Sequence, residues 1–284
     1  MAKTPLPLGP TGRPDRVIPA PQKLSQHGPA RIIAMCNQKG GVGKTTTTIN
    51  LGAALARYGR RVLIVDFDPQ GAASAGLGVQ AHDVPTIYDL MLSKIKDPRE
   101  VIQHTETKNL DVIPANIDLS AAEVHLVTEV AREQILAGVL RKVSDDYDVI
   151  LIDCQPSLGL LTVNALTASH GVLIPLACEF FALRGVALRI ETIEKVKDRL
   201  NPQIELDGII ATMYDSRTLH AREVLERVVD TFGDKAFDTV IGRTVKLPDA
   251  SVAAKSILDY APSNPASEAY LKLAREVVQR GVVA

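Results

Sequence analysis

Short apolar runs alternate with longer amphipathic stretches from Arg31 onward. The short runs have the length of buried strands, and the segments between them have the residue spacing of helices that cover a sheet. This alternation is typical of a doubly wound α/β fold, in which a mainly parallel sheet carries helices on both faces. The predicted strands are Arg31–Cys36, Arg61–Asp66, Leu110–Ile113, Asp148–Asp153, Gly171–Ile174, Gly208–Met213 and Ala236–Ile241. The predicted helices are Thr46–Tyr58, Ala131–Val143, Phe181–Arg199, Arg217–Phe232 and Ser267–Arg280.

The first 29 residues break this pattern. They hold seven of the 17 prolines and carry four basic side chains against one acidic side chain. A segment of this composition has too few apolar residues to form a core of its own. We therefore predict a flexible, proline-rich arm at residues 1–29 and one nucleotide-binding domain at residues 30–284.

Composition narrows the class of protein. The chain has 284 residues, of which 46% are hydrophobic and 23% charged, as in a folded globular domain. Its net charge of −1 neither favours nor excludes a nucleic-acid partner. The apolar stretch 171–178 is interrupted by Pro175 and is far shorter than the ~20 residues of a membrane span, so a cytoplasmic location is expected. Three cysteines without metal-ligand spacing are interpreted as small buried apolar residues.

A glycine-rich loop follows the first predicted strand and precedes the first predicted helix. Its sequence, NQKGGVGKTTTT (37–48), lets the amides around Gly40, Gly41 and Gly43 close on phosphate oxygens without interference from Cβ atoms. Lys44 is placed to reach the β- and γ-phosphates, and the Thr45 hydroxyl to hold Mg²⁺. The loop departs from the strict P-loop pattern at one position, where glutamine 38 replaces the first glycine.

Carboxylates end two of the predicted strands. VLIVDFDPQG (62–71) places Asp66 and Asp68 on the same side of the sheet at its carboxyl edge, where ligands of such sheets bind. YDVILIDCQPSLG (147–159) ends a second strand in Asp153, a candidate to hold Mg²⁺ through water. Hydrolysis of a phosphoanhydride needs such a metal shell and a group that orients the attacking water.

KGGVGKTT (39–46) resembles the deviant Walker A motif of the ParA/MinD superfamily. The resemblance implies that Lys39 reaches across an ATP-sandwiched homodimer to the phosphates of the partner subunit. The D-x-D-P-Q segment resembles the ParA branch and implies that Asp68 positions water while Asp66 supports the outer shell of the metal. DCQPSLG resembles the family segment D-C-P-P-S-L-G, from which Gln155 departs. This departure is expected to affect the hydrolysis rate more than ATP binding.

The family resemblance continues through the last third of the chain. IPLACEFFALRGV (174–186) resembles I-P-x-x-C-E-Y-x-A-L-x-G and implies that Glu179 lines the dimer-facing edge. Arg217 and Lys246 match positions through which Soj-like members bind DNA without sequence specificity, and Arg243 is a third candidate. Residues 217–246 carry six basic and five acidic side chains, so local charge supports DNA binding only weakly. Met213 is a candidate contact to the base, and the sequence has no guanine signature, which favours ATP over GTP.

The resemblance, which extends to about residue 281, implies a ParA/Soj-type ATPase with ATP and Mg²⁺ as cofactors. We expect a switch that dimerises on ATP, binds double-stranded DNA nonspecifically near the nucleoid, and is released when a ParB-like protein stimulates hydrolysis. The candidate catalytic residues are Lys39, Lys44 and Asp68. The candidate nucleotide-binding residues are Lys39, Gly40, Gly41, Val42, Gly43, Lys44, Thr45, Thr46 and Met213, and those for the metal are Thr45, Asp66 and Asp153.

Three alternatives remain open at the level of sequence. A MinD-like membrane-cycling ATPase would share the loop, although the helix predicted at 267–280 lacks the face of a stable membrane anchor. A metal- or cofactor-loading ATPase would need ligand cysteines in a different spacing. A ParA-like orphan that acts with a condensin or a division protein would have the same motifs as the leading interpretation.

Overall fold

The parallel sheet predicted from the apolar runs is present in the computed structural model, which describes residues 6–179 and 182–284. In the described residues the sheet has seven strands, and the order across it is β3-β4-β2-β5-β1-β6-β7. All neighbours are parallel except β3 and β4. The strands are β1 (Arg31–Met35), β2 (Val62–Phe67), β3 (Gln103–His104), β4 (Leu110–Ile113), β5 (Val149–Cys154), β6 (Gly171–Ala177) and β7 (Glu205–Thr212).

Helices connect the strands and cover both faces of the sheet. The longer ones coincide with the amphipathic stretches, with ends that shift by a few residues. They are α1 (Lys44–Arg57), α2 (Ala72–Gly76), α3 (Ile87–Met91), α4 (Leu119–His125), α5 (Ile135–Arg141), α6 (Leu160–Ala168), α7 (Ala182–Arg199), α8 (Leu219–Phe232), α9 (Lys246–Val252), α10 (Ile257–Tyr260) and α11 (Pro265–Gln279). Phe181, where one helix was predicted to begin, and its neighbour Phe180 lie outside the described residues.

Alternating strand residues supply two separate cores. Ile33, Ile64 and Leu151 face one side and pack with α1 and α11, whereas Ala34, Val65 and Ile152 face the other side. Because both faces are covered, β2, β5 and β6 are buried at every position, as their near-continuous apolar sequences predict. In the part of the chain that is described, no helix has the length and apolar character needed to cross a bilayer.

One strand predicted from the sequence is absent, and one observed strand was not predicted. Residues Ala236–Ile241 form no strand; Ala236 makes one isolated bridge to Ile209, and the rest is an irregular segment beside β7. The amides of Phe237 and Ile241 still donate to backbone carbonyls of β7, at 3.0 and 2.8 Å, so the apolar side chains are buried without a continuous ladder. The edge strand β3 was missed because its two residues, Gln103 and His104, are polar.

The described part of the N-terminal arm lies along the edge of the sheet where β1 and β5 begin. Arg13 donates to the Ala236 carbonyl at 3.0 Å and to Asp238 at 3.0 Å. His27 and the amide of Gly28 contact the buried carboxylate of Asp148 at 2.8 and 2.9 Å. These contacts are on the edge opposite the glycine-rich loop. The flexibility of the arm stays a prediction.

Candidate functional site

The glycine-rich loop connects β1 to α1 at the carboxyl edge of the sheet. Gly41 and Gly43 have φ values of 72° and 82°, which side chains rarely adopt, and Gly43 is the residue from which α1 begins. A Cβ atom at Gly40 or Gly41 would meet nothing within 4 Å, so the space beside the loop is open at both positions. The first turn of α1, which includes the half-buried Thr46, thus presents free amides at the positive end of a helix.

Lys44 crosses the base of this loop. Its ammonium donates to the carbonyl of Lys39 at 3.2 Å, and only 7% of the residue is exposed. Burial lowers the pKa of Lys44, while the nearby carboxylates of Asp153 and Asp68 oppose that shift. A buried cation within an open ring of amides is a site for a multiply charged anion.

Asp153 is the last residue but one of β5 and lies beneath the start of α1. Its Oδ2 accepts a hydrogen bond from Thr45 Oγ1 at 2.7 Å, and its Oδ1 accepts one from Thr48 Oγ1 at 3.1 Å. Because the Thr45 hydroxyl donates its hydrogen bond to Asp153, its lone pairs face away from the carboxylate. This is the orientation that a metal ligand needs.

Asp66 lies opposite Asp153 on the neighbouring strand. Its Oδ2 accepts from the amide and the hydroxyl of Ser74, at 2.8 and 2.7 Å, and the side chain is fully buried. Burial, with the charge of Asp153, raises the pKa of Asp66 to about 7. Burial also raises the pKa of Asp153 to about 6. Two adjacent buried carboxylates of this kind are stabilised in their charged forms by a cation.

Asp68 is half-buried just beyond the end of β2. Its Oδ1 accepts from the amide of Gln70 at 3.0 Å, and its carbonyl accepts from the amide of Gly71 at 2.9 Å. Gly71 has φ 63°, and a Cβ there would lie 2.7 Å from the carbonyl oxygen of Ala115. The turn that holds Asp68 therefore depends on this glycine.

Lys39 lies at the outer rim of the loop. Its Nζ is 2.7 Å from Oε2 of Glu179, and both side chains are about half exposed, at 51% and 49%. The hydrogen bond from Lys39 lowers the pKa of Glu179, and Arg243 and His220 add to this effect.

Two residues that the sequence analysis did not single out, Asn37 and Thr212, hold the loop in place. Asn37 donates to the Pro175 carbonyl at 2.7 Å and accepts from the amide of Lys39 at 3.0 Å. Thr212, at the end of β7, donates to the Val42 carbonyl at 2.8 Å. Met213, the candidate contact to the base, directly follows β7. It is half-buried and has a φ of 52°. Contacts between residues this far apart in sequence leave no local signal.

Glu123 is a further residue that the sequence analysis did not single out, and it holds the segment that follows Asp153. Its Oε1 accepts from Gln155 Nε2 at 3.1 Å and from the amide of Leu161 at 3.5 Å. A Cβ atom at Gly159 would lie 1.9 Å from the same oxygen. Glu123 thereby ties the segment after Asp153 to α4, and it does so through the glutamine that departs from the family pattern.

Two of the three candidate DNA-binding residues are paired with carboxylates. Arg217 makes two hydrogen bonds to Asp215, at 2.9 and 2.8 Å. Lys246 lies 3.3 Å from Asp249. Arg243 is exposed, and its amide donates to the Tyr214 carbonyl at 3.0 Å, which brings it close to Asp215. Hydrogen bonds from Arg217, with the charge of Arg243, lower the pKa of Asp215 to about 2.

The oxygen donors fit a magnesium ion that is bound together with phosphates. Among the described residues, no group of three or more His, Cys, Asp and Glu side chains is arranged to hold a metal by itself. Mg²⁺ commonly takes one or two protein oxygens and completes its shell with water and phosphate oxygens. The Thr45 hydroxyl and the buried carboxylates of Asp66 and Asp153 supply such a partial set.

Several known proteins are similar to this chain in sequence. A family model described as "AAA domain" matches residues 30–206. An uncharacterized protein of Mycobacterium tuberculosis is 58% identical over 96% of this chain and 86% of its own length. The sporulation initiation inhibitor protein Soj of Bacillus subtilis is 48% identical over 88% of this chain and 99% of its own length. This chain belongs to the ParA/MinD family of ATPases.

A solved structure has the same fold. It is named a cobyrinic acid a,c-diamide synthase from Mycobacterium smegmatis and contains ADP and magnesium. It is 38% identical to this chain, covers 89% of it and 96% of its own chain, and has a TM-score of 0.79.

Proposed function

We propose that this chain is an ATP-driven switch of DNA segregation. The observation that carries the proposal is the phosphate loop with Lys44 at its base and Lys39 at its outer rim, beside the carboxylates of β2 and β5. ATP and Mg²⁺ are its cofactors, as the named ATPases among its relatives and the ADP and magnesium of its structural neighbour support. Mg²⁺ supplies charge neutralisation on the phosphates, so the protein has to position the other reacting groups.

Each side chain of the site has a defined task in this proposal. The open amides of residues 40–46 and the ammonium of Lys44 bind the phosphates, and Met213 contacts the base. Thr45 ligates Mg²⁺ through its hydroxyl, while Asp66 and Asp153 bind water molecules of the metal shell. Asp68 orients the attacking water, because its Oδ2 accepts no hydrogen bond from the described residues and is available to a water molecule.

Dimerisation couples this site to DNA. Lys39 leaves Glu179 and contacts the phosphates of the nucleotide in the partner subunit, which makes ATP a part of the homodimer interface. Arg217, Arg243 and Lys246 then bind duplex DNA through its phosphates, and two copies of this weak surface bind more strongly than one. A ParB-like protein stimulates hydrolysis and releases the dimer. The protein is thus cytoplasmic and associated with the nucleoid.

A membrane-cycling function has less support. The apolar face of α11 is covered by α1, and Tyr270, Leu273, Ala274 and Val277 are between 0% and 1% exposed. A helix whose apolar residues fill the core does not offer them to a lipid surface.

Binding of a fluorescent duplex tests the proposal, measured with ATP, ADP or no nucleotide at two salt concentrations. We expect ATP-dependent, salt-sensitive binding that Arg217→Ala and Lys246→Ala weaken and that Arg227→Ala, an exposed arginine of α8, leaves unchanged. Lys44→Ala should abolish ATP binding, and Asp68→Ala should preserve DNA binding but slow hydrolysis. Equal binding in all nucleotide states, or normal ATP binding by Lys44→Ala, would contradict the proposal.

A further inference from the structure

Two thiols meet beneath the phosphate loop and take no part in the proposed chemistry. Cys36 directly follows β1, and Cys154 is the last residue of β5. Their sulfur atoms are 3.0 Å apart, and both residues are buried, at 0% and 1% exposure. Met35 and Asp153 are aligned in the parallel register, so the two cysteines follow as the next opposed pair.

A buried arginine lies close to this pair. Arg189 of α7 is 1% exposed, and none of its three guanidinium nitrogens has a hydrogen-bond partner in the described structure. The hydrogen bond with Cys154, together with the charge of Arg189, lowers the pKa of Cys36. A buried guanidinium without an anionic partner is costly, and a thiolate in its vicinity would compensate it. Thiolates close to arginine are also the reactive form of cysteine.

We propose that Cys36 and Cys154 form a redox-active pair that hydrogen peroxide converts into a disulfide. One thiolate attacks a peroxide oxygen, the O–O bond breaks, and the products are a sulfenic acid and a hydroxide that takes up a proton. The second sulfur attacks the sulfenic sulfur, the S–O bond breaks, and a second water leaves. Peroxide gains two electrons, and the two thiols lose two electrons and two protons.

The spacing of the two strands is compatible with this bond. Neighbouring strands lie about 4.8 Å apart, and bridged cysteines have Cα atoms about 4.4–6.8 Å apart. Closure from the contact distance of 3.0 Å to an S–S bond of about 2.05 Å moves the two sulfurs by about 1 Å in total.

The consequence for nucleotide binding rests on the proposed function. Cys154 directly follows Asp153, and Cys36 directly precedes the loop that begins at Asn37. A bond between them pulls the loop and the carboxylate strand together and disturbs the hydrogen bond between Thr45 and Asp153. Altering groups that position the ligands of a metal site weakens binding by about tenfold or more, so oxidation should lower the affinity for Mg²⁺-ATP to that extent.

The folded full-length chain, treated with hydrogen peroxide and mapped by non-reducing tryptic mass spectrometry, tests the bond itself. Cys154 and Cys178 fall in one peptide, 143–184, so the mapping is done in Cys178→Ser as well as in the wild type. We expect a link between peptides 32–39 and 143–184 in both proteins, lost in Cys36→Ser and Cys154→Ser and reversed by dithiothreitol. Absence of the link, or a link that requires Cys178, would overturn the proposal.

Two further measurements test the role of Arg189 and the effect of the disulfide on ATP binding. Arg189→Leu should slow the oxidation, whereas Arg199→Leu, an exposed arginine at the end of α7, should not. An equal rate in both variants would remove Arg189 from the proposal. Mg²⁺-ATP affinity is then compared in reduced and oxidised protein. If the disulfide forms and the affinity is unchanged, the regulatory step is wrong; if the reduced protein binds no ATP, the proposed function fails and the redox pair stands.

Discussion

Lys39 and Glu179 form an ion pair of 2.7 Å across the rim of the phosphate loop. In the proposed dimer, Lys39 instead contacts a phosphate of the partner subunit, so the pair and the dimer contact compete for the same ammonium. Both side chains are half exposed, and pairs of this kind contribute only about 0.2–1 kcal/mol. The pair is therefore weak enough to be exchanged when ATP binds.

Replacement of Glu179 by glutamine should release Lys39 and favour the dimer. Glu179→Gln is expected to lower the ATP concentration for half-maximal dimerisation by up to about fivefold, the equivalent of one exposed ion pair. Light scattering after size exclusion, over a series of ATP concentrations, measures this change. Glu191→Gln, which removes the exposed pair with Lys195 on α7, is the matched control and should have no effect. Weaker dimerisation of Glu179→Gln would show that Glu179 itself contributes to the interface.

Stability without magnesium should fall as the pH rises. Asp66 has an ordinary pKa of 3.8 and a folded-state pKa of about 7, so between these values the folded chain binds the extra proton. Stability from this group is therefore complete below about pH 4 and is lost as the pH approaches 7. Asp153, with a pKa raised to about 6, acts in the same direction.

Asp66→Asn should flatten this dependence and make the metal-free protein more stable at pH 8, by roughly 1–4 kcal/mol. Urea unfolding at several pH values between 5 and 8, in the presence of a chelator, measures it. Ser74→Ala provides a second variant, because Ser74 lowers the pKa of Asp66 through its hydrogen bonds. That variant should steepen the pH dependence, and identical slopes in all three proteins would contradict the assignment.

Sequence was sufficient for the parts of the site that depend on local pattern. A glycine-rich turn between a strand and a helix predicts its own geometry, and the carboxyl ends of parallel strands meet at one edge, which brings Asp66 and Asp153 together. The apolar residues of 236–241 predicted burial correctly, since Ala236, Phe237 and Ile241 are buried, but they did not predict the absence of a ladder, because burial alone does not specify strand pairing. The partner of Lys39 and the tie from Glu123 to Gln155 are long-range contacts and were not predictable from local pattern.

Asp215 should limit DNA binding. Both of its oxygens hold Arg217, and Arg243 lies near the same carboxylate, so it neutralises the cations proposed to contact phosphates. Asp215→Asn is expected to strengthen ATP-dependent DNA binding by roughly two- to fivefold at moderate salt and to steepen its salt dependence. Fluorescence anisotropy of a labelled duplex measures both quantities. Asp230→Asn, an exposed carboxylate of α8, changes the net charge equally and should have a smaller effect.

The N-terminal arm should contribute to stability without affecting nucleotide binding. Arg13 and the Gln22 carbonyl contact the edge of the sheet opposite the phosphate loop, through the Ala236 carbonyl and the guanidinium of Arg60. Deletion of residues 1–26 should lower the free energy of unfolding by roughly 1–3 kcal/mol, because several partly buried hydrogen bonds are lost. Urea unfolding and isothermal titration with ATP test the two statements on the same protein. An unchanged unfolding curve would instead support an arm that is detached in solution.

The tie between Gln155 and Glu123 should restrain hydrolysis. The segment that follows Asp153 lies beside the phosphate site, and Gln155 fixes it to α4 through a 3.1 Å hydrogen bond. Gln155→Ala is expected to raise the basal rate of ATP hydrolysis by roughly two- to tenfold, because a freed segment samples the closed arrangement more often. The affinity for ATP should stay within about twofold, since the phosphate loop is held by Asn37 and Thr212 instead.

A second variant distinguishes loss of the hydrogen bond between Gln155 and Glu123 from loss of the glutamine side chain itself. Glu123→Ala removes the carboxylate oxygen that accepts from Gln155 and from the amide of Leu161. It should raise the rate as Gln155→Ala does, and the double variant should add nothing, because both changes break one interaction. Phosphate release under saturating ATP, paired with ATP titrations, measures the two quantities separately. Additive effects, or a loss of ATP affinity in Gln155→Ala, would show that the two residues act on the site independently.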